Sequence, residues 1–424
     1  MTFPLPKNTL PLRQPLGPVL LPGSKSVSNR ALLLAAISPG ESRLYGGLEA
    51  EDTHWMRESL QGLGIEVTGL GGCWRIEGGT HPRAAEPLWM GASGTTLRFL
   101  LPWLAFRADA PVELRGEPRL FQRPLAPLLT VLEAQGARWE GGIDGGVLYP
   151  CPDPPDSLET EVDGVLSSQF ISGLAMATAG LPGGGRLHWS RPVSSFGYLR
   201  LTSRWMNAFG CSNSLQSSGW TIEGGGLRHQ ELQLPADWSG AAAFLAAAAV
   251  TGREIDLGPL DALDEQSDRH LVEILDGAGC NCQWTEDRLR VQGPLQRGVF
   301  ANLVSCPDLG PVLSAVAALA PGPSVLAGLH TLPMKECDRL EASADLVRWL
   351  GGRAEVESGD TIRIWPGEPE AHRPSYDPRK DHRMAFAAAV GGLRWGGDLG
   401  DPECVAKTFP DFWTEWERML QGHQ

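Results

Sequence analysis

With 424 residues and a mass of 45.6 kDa, the chain exceeds what one hydrophobic core organises and suits about two domains. A mix of 42% hydrophobic and 20% charged residues excludes wholesale disorder. Its 36 basic and 50 acidic residues, net charge −14, exclude a general binder of nucleic acid or anionic membrane, so any anion site must be a local concentration of cations.

The longest apolar runs, Phe99 to Phe106 and Ala241 to Val250, are too short to span a bilayer. The opening MTFPLPKNTLPLRQPLG has neither the basic-then-apolar order of a secretory signal nor transit-peptide character, which predicts a cytoplasmic protein. Eight scattered cysteines, with only Cys280 and Cys282 close together, predict reduced structural thiols and no zinc site.

The first predicted element is a helix opening in LPGSKSVSNRALLLAA, residues 21–36. Pro and Gly break the chain there, Ser24, Ser26 and Ser28 offer capping oxygens, and Lys25 and Arg30 lie at the positive helix end. That arrangement suits a phosphate or carboxylate, although GxxxxGK[ST] is absent and a plain capped helix has the same look. A second small-residue turn, MGASGTTLRFLLPWLA, opens an apolar helix containing Arg98; tight packing of small residues explains it equally well. In RGEPRLFQRPLAPLL, Arg119 and Arg123 flank a Pro-bounded turn, as a bidentate clamp or as two surface arginines. In VDGVLSSQFISGLAMA, Ser167, Ser168 and Gln169 precede an apolar helix and offer hydroxyl and amide donors or a simple cap. Further on, Asp308 precedes an apolar helix, Lys335-Glu336 stand ahead of Asp338-Arg339, and Asp381-His382-Arg383 open another apolar stretch. Asp308 and Glu336 are candidate acid/base carboxylates if neighbouring cations and burial tune them.

One phrase recurs through all of this: an amphipathic helical stretch closes on Gly, and a strand-like segment usually follows. It reads WMRESLQGLGIEV, LLTVLEAQGARW, LTSRWMNAFGCS, LVEILDGAGCNCQW, ADLVRWLGGRAEV and FWTEWERMLQG. The glycines, Gly64, Gly136, Gly210, Gly279, Gly351 and Gly422, are 72, 74, 69, 72 and 71 residues apart. Six α/β units of about 70 residues fit this spacing, each helix ended by a left-handed Gly; six unrelated helix ends at similar intervals are the plainer alternative, since helix-then-Gly is a common local pattern. Because the sixth copy ends the chain, the N-terminal strand is expected to complete it, making the domains discontinuous. The loop-to-helix sites in both halves then predict helix N-termini converging on one anionic ligand in a cleft between two domains.

GSKSVSNRALLLAA, SGTTLR, GEPRLFQRP, SSQF, KECDRL, DHRMA and AKTFPDF, in this order over nearly the whole chain, resemble the 5-enolpyruvylshikimate-3-phosphate synthases of the enolpyruvyl transferase family. The resemblance implies an inverted α/β barrel fold: a lower domain of residues 1–22 with 236–424, an upper domain of 23–235, crossovers near 22 and 236, and the active site in the interdomain cleft. It implies transfer of the enolpyruvyl group of phosphoenolpyruvate to the 5-hydroxyl of shikimate 3-phosphate, through a tetrahedral intermediate, in a monomer without metal or organic cofactor. It assigns Lys25, Arg123, Arg339, Arg383 and Lys407 to phosphoenolpyruvate, helped by Gly94, Gln169 and His382. Lys25, Ser26, Arg30, Ser167, Ser168, Gln169, Ser195, Tyr198, Asp308 and Lys335 fall to shikimate 3-phosphate. Asp308 takes the hydroxyl proton, Glu336 helps protonate the methylene carbon, and Lys25 stabilises charge on phosphate. Competitive inhibition by glyphosate is expected, since Gly94 is kept. The chain departs from the family pattern in three places: Ala92 replaces the usual Asn ahead of Ser93-Gly94-Thr95, SSFGY replaces Ser-Lys/Arg-Pro-Tyr, and an Asn is lost near Thr331. The related UDP-N-acetylglucosamine transferases are disfavoured, because they read Lys-Asn at Lys25-Ser26 and carry a loop Cys that GEPRLFQRP lacks. A binding protein that kept the cations but lost the chemistry is the non-enzymatic alternative.

Overall fold

All six repeat glycines take a positive φ, between 74° and 98°, in the computed structural model, which describes residues 2–7, 14–370 and 373–422. Only a residue without Cβ adopts that conformation cheaply, so each helix ends there, and after the first five the chain turns back towards a sheet. The chain divides into two compact units, Gly23–Pro235 and Met1–Pro22 with Ala236–Gln424.

The unit Gly23–Pro235 holds helices α1 (Lys25–Ile37), α2 (Glu51–Gly62), α3 (Gly94–Arg107), α4 (Pro118–Gln122), α5 (Ala126–Ala134), α6 (Ser168–Ala179) and α7 (Gly197–Ala208). Its three four-stranded sheets share one plan. In the first, Glu231–Gln233 runs parallel to Gly40–Tyr45, with Glu231 opposite Arg43, and Trp74–Gly78 and Glu66–Thr68 follow antiparallel. The second pairs Leu88–Trp89, Val112–Arg115, Gly145–Tyr149 and Arg138–Gly141, and the third Leu158–Glu161, Gly185–His188, Gly219–Ile222 and Asn213–Gln216, in the same senses. Strand Trp74–Gly78 alternates buried and exposed residues, the period of a sheet with one face on the core. Helices α1, α3 and α6 touch one another and are apolar almost all round, so they fill the interior while the amphipathic α2 and α7 lie outside.

The second unit repeats the plan with α8 (Trp238–Thr251), α9 (Leu271–Gly277), α10 (Gly310–Ala318), α11 (Arg339–Trp349), α12 (His382–Trp395) and α13 (Phe412–Gln421). Here α8, α10 and α12 are the mutually packed inner helices. Its sheets are Glu254–Leu257 with Arg288–Gln292 and Asn281–Thr285, and Phe300–Asn302 with Ser324–Ala327, Thr361–Trp365 and Arg353–Glu357. The sixth repeat borrows its last strand: Thr2–Pro4 pairs antiparallel with Asp398–Gly400, Phe3 opposite Leu399. The Leu16 amide donates to the Glu254 carbonyl at 2.8 Å, tying the following segment to the fourth repeat. A ring cluster of Phe244, Phe412 and Trp416, centroids 5.3–5.6 Å apart, locks α13 onto α8, each ring contributing about 2–3 kcal/mol of apolar burial. Among the described residues no helix is long and apolar enough to cross a membrane, and no group of three His, Cys, Asp or Glu is set to hold a metal ion. All eight cysteines are unbridged, and burial pushes thiols such as Cys306 and Cys337 up to about 12, which leaves them inert.

Candidate active site

In the unit Gly23–Pro235 the candidate residues collect at the N-terminal ends of α1, α3, α6 and α7. Gly23 lets the chain enter α1, since a Cβ there would lie 2.0 Å from the Gly46 carbonyl oxygen. Lys25, the first helical residue, pairs through Nζ with Asp52 Oδ2 at 3.1 Å. The Asp52 carbonyl accepts from Thr96 Oγ1 at 3.4 Å, so one residue of α2 ties the Lys25 ammonium to the first turn of α3.

Arg30 is 2% exposed. Its Nε donates to Thr202 Oγ1 at 2.7 Å, Nη1 to the Ser26 carbonyl at 2.8 Å, and Nη2 to the Tyr198 carbonyl at 3.4 Å and Ser172 Oγ at 3.5 Å. The guanidinium lies 5.7 Å from the centroid of the Tyr198 ring. Burial pushes Arg30 down to about 10, and it stays protonated at neutral pH.

Arg98 Nη1 donates to Gln169 Oε1 at 2.7 Å and Nη2 to the Pro124 carbonyl at 3.1 Å, joining α3, α6 and the turn that carries Arg123. A Cβ on Gly94 would meet Arg123 Nη1 at 2.8 Å and Arg98 Nη1 at 3.1 Å, so Gly94 is what admits two guanidiniums to the α3 N-terminus. Ala92 sits half-buried one residue before Ser93, which caps α3. Ser167 caps α6 by accepting the Gln169 amide at 3.2 Å, and Ser168 is buried at its first position. In the SSFGY segment Ser195 is buried with φ 58°, a conformation costing about 1 kcal/mol or more for a non-Gly residue, and its carbonyl accepts the Tyr198 amide at 3.0 Å as α7 begins.

The second unit gathers its candidates more tightly. Asp308, just before α10, pairs through Oδ1 with Lys335 Nζ at 3.1 Å and Arg339 Nη1 at 2.8 Å. Its carbonyl accepts from Arg383 Nη1 at 2.9 Å, and its Oδ2 lies 3.7 Å from Arg383 Nη2. Glu336 bridges Arg339 Nη2 at 2.8 Å and Lys407 Nζ at 3.5 Å. Arg339 is further held by Asp381, which accepts from Nε at 2.7 Å and Nη2 at 3.1 Å and caps α12 through the Arg383 amide. His382 stands beside it, Nδ1 3.8 Å from Asp381 Oδ1. Burial alone would raise the Asp308 carboxyl, but Lys335, Arg383 and Arg339 outweigh it and hold the group far below the usual carboxylate range. Burial likewise opposes the Arg339 charge, yet Asp381, Glu336 and Asp308 raise its pKa well above the ordinary value. Four cations thus face four carboxylates, Asp268, Asp308, Glu336 and Asp381.

Sequence reasoning missed part of this. Arg98 was visible as a lone charge in an apolar helix, and Asp381 as the start of another apolar stretch. Asp52 and Asp268, buried partners of Lys25 and Arg383, carry no local signal, since an acidic residue at a helix start is ordinary.

The chain matches the family model for EPSP synthase (3-phosphoshikimate 1-carboxyvinyltransferase) over residues 13–416. It is 35% identical over 403 residues to the 3-phosphoshikimate 1-carboxyvinyltransferase of Methanoculleus marisnigri, covering 92% of this chain and 94% of that one. It is 35% identical over 409 residues to the enzyme of the same name from Syntrophobacter fumaroxidans, covering 94% and 96%. Among solved structures, EPSP synthase from Acinetobacter baumannii superposes with a TM-score of 0.79 at 26% identity, over 99% of this chain and 98% of that one. The enolpyruvyl transferase NikO from Streptomyces tendae shares the fold at 18% identity and a TM-score of 0.76, over 97% and 96%.

Proposed function

The chain belongs to the EPSP synthase family, and from that premise we propose that it joins phosphoenolpyruvate to the 5-hydroxyl of shikimate 3-phosphate, releasing phosphate, in the shikimate pathway to aromatic amino acids. The observation that carries this reading is Asp308, a carboxylate kept ionised by three cations that each have substrate oxygens to bind. As phosphate and carboxylate oxygens compete for Lys335, Arg339 and Arg383, Asp308 loses stabilising partners and its pKa climbs towards a value suited to accepting the hydroxyl proton. Glu336, between Arg339 and Lys407, helps protonate the methylene carbon as the alkoxide adds to its neighbour, relaying a proton it takes up from solvent as the substrates compete for its two cations, and its carboxylate takes a proton back from the new methyl group in the next step. Loss of phosphate with a proton from the new methyl group then restores the double bond in the product.

Lys25, Gly94, Arg123, Gln169, Arg339, His382, Arg383 and Lys407 hold phosphoenolpyruvate in this proposal. Ser26, Arg30, Ser167, Ser168, Ser195, Tyr198 and Lys335 hold shikimate 3-phosphate, with Lys25, Gln169 and Asp308 serving both or the chemistry. Substrates carrying several negative charges repel one another, and preorganised cations and helix N-termini offset that repulsion. The protein acts in the cytoplasm as a monomer, without membrane or nucleic-acid partners; light scattering of the purified protein tests the monomer. Phosphate release with each substrate alone and with both tests the reaction. Release requiring both is expected, and binding without release would make the protein a non-catalytic relative.

A further inference from the structure

Asp268 is a buried carboxylate outside every motif that marks the site. It lies in the 3-10 turn Ser267–His270, 2% exposed, and caps neither that turn nor α9. Its Oδ2 accepts from Arg383 Nη1 at 3.0 Å and from the Ser239 hydroxyl, whose Oγ in turn accepts Arg383 Nη2 at 2.9 Å. Asp268, Ser239 and Arg383 therefore close a ring drawn from three separate segments, with Asp268 and Arg383 115 residues apart. Its other oxygen, Oδ1, is buried and has no hydrogen-bond partner among the described residues. A carboxylate retained only for stability would use both oxygens, because burying one with half its acceptors unused is costly.

Geometry on the far side of Arg383 gives that cost a purpose. Nη1 reaches the Asp308 carbonyl at 2.9 Å, but Nη2 stops 3.7 Å short of the Asp308 carboxylate, beyond a hydrogen bond. Asp268 and Ser239 take the bonds that Asp308 would otherwise receive. The arrangement recurs where Asp381 backs Arg339 and Asp52 backs Lys25, each a nearly inaccessible carboxylate behind a cation in the first turn of a helix.

We propose that Asp268 is a positioning residue that, with Ser239, holds the Arg383 guanidinium back from the Asp308 carboxylate, leaving Arg383 to phosphoenolpyruvate and Asp308 to the hydroxyl proton. This rests on the reaction proposed above. Without Asp268, Arg383 closes the remaining gap onto Asp308 and both groups are lost to the substrates together. The experiment compares Asp268→Ala and Asp268→Asn by steady-state kinetics, by calorimetric titration of shikimate 3-phosphate and of phosphoenolpyruvate, and by thermal melting. Asp268→Ala is expected to lower kcat/KM for phosphoenolpyruvate about 100-fold, with the shikimate 3-phosphate affinity within about threefold. Asp268→Asn, which still offers Arg383 an acceptor, is expected to recover to within about tenfold of the parent. Kinetic constants unchanged in both variants, a lower melting temperature alone, or an equal loss of both substrates' affinities would overturn the proposal; if Asp268→Ala does not fold, Asp268→Asn decides by the same split. No turnover in the unmodified protein would sink the reaction, and Asp268 would then stand on the phosphoenolpyruvate titration: weaker binding in the variants supports it, unchanged binding overturns it.

Discussion

Arg30 and Arg339 are buried equally, each 2% exposed, one in each unit, and their surroundings act on them in opposite directions. Arg30 is held by hydroxyls and carbonyls, and desolvation lowers its pKa to about 10. Arg339 touches three carboxylates, which overcome the same desolvation. Neutral acceptors fix a guanidinium in space while leaving its field for an incoming anion; carboxylates spend that field on one another and are tuned in return. In the proposed reaction the unit Gly23–Pro235 thus supplies an anion cradle at Arg30, and the other unit supplies the acid/base groups.

The sharpest test of that division removes one group from each side. Lys25→Ala and Glu336→Ala are each expected to cut turnover by about 10³-fold or more while circular dichroism stays unchanged; near-normal activity in either would cancel the role given to that residue. Next in size comes stability. Arg339→Met leaves Asp308, Glu336 and Asp381 without their shared counter-ion and is expected to cost about 3–5 kcal/mol in denaturant unfolding. Arg30→Met strands only neutral acceptors, for about 1–3 kcal/mol, so equal losses would erase the contrast.

Gly94→Ala is a smaller perturbation confined to the first turn of α3, beside Arg98 and Arg123. Its Cβ would crowd Arg123 Nη1 at 2.8 Å, and KM for phosphoenolpyruvate is expected to rise about tenfold with that for shikimate 3-phosphate unchanged. The smallest effect is in acid. The folded pKa of Asp308 is depressed below its ordinary 3.8, so its contribution to stability is present above about pH 4 and is lost as the pH falls towards the folded value. Asp308→Asn should therefore flatten the acid limb of the stability curve below pH 4, and an unaltered limb would show that the surrounding cations do not hold that carboxylate.

Much of the fold was legible because its grammar is local. A positive-φ Gly stops one helix in every repeat, so six such stops at intervals near 71 residues announced six units. Clusters such as Gly94 with Arg98, or Asp381 with Arg383, were visible for the same reason: small residues, caps and cations near a helix start lie within a few positions of one another. Asp52 and Asp268 were not, because a lone Asp looks alike whether it is solvated or buried behind a cation.

What the sequence determined by itself was therefore the repeat, the helix starts and the inventory of charged groups, all properties of short segments with their own conformational preferences. Tertiary structure alone decided which carboxylate stands behind which cation, and with it which groups are held ionised. Those pairings join segments as far as 115 residues apart, and their strength depends on how much water the packed helices exclude, a quantity no local pattern encodes.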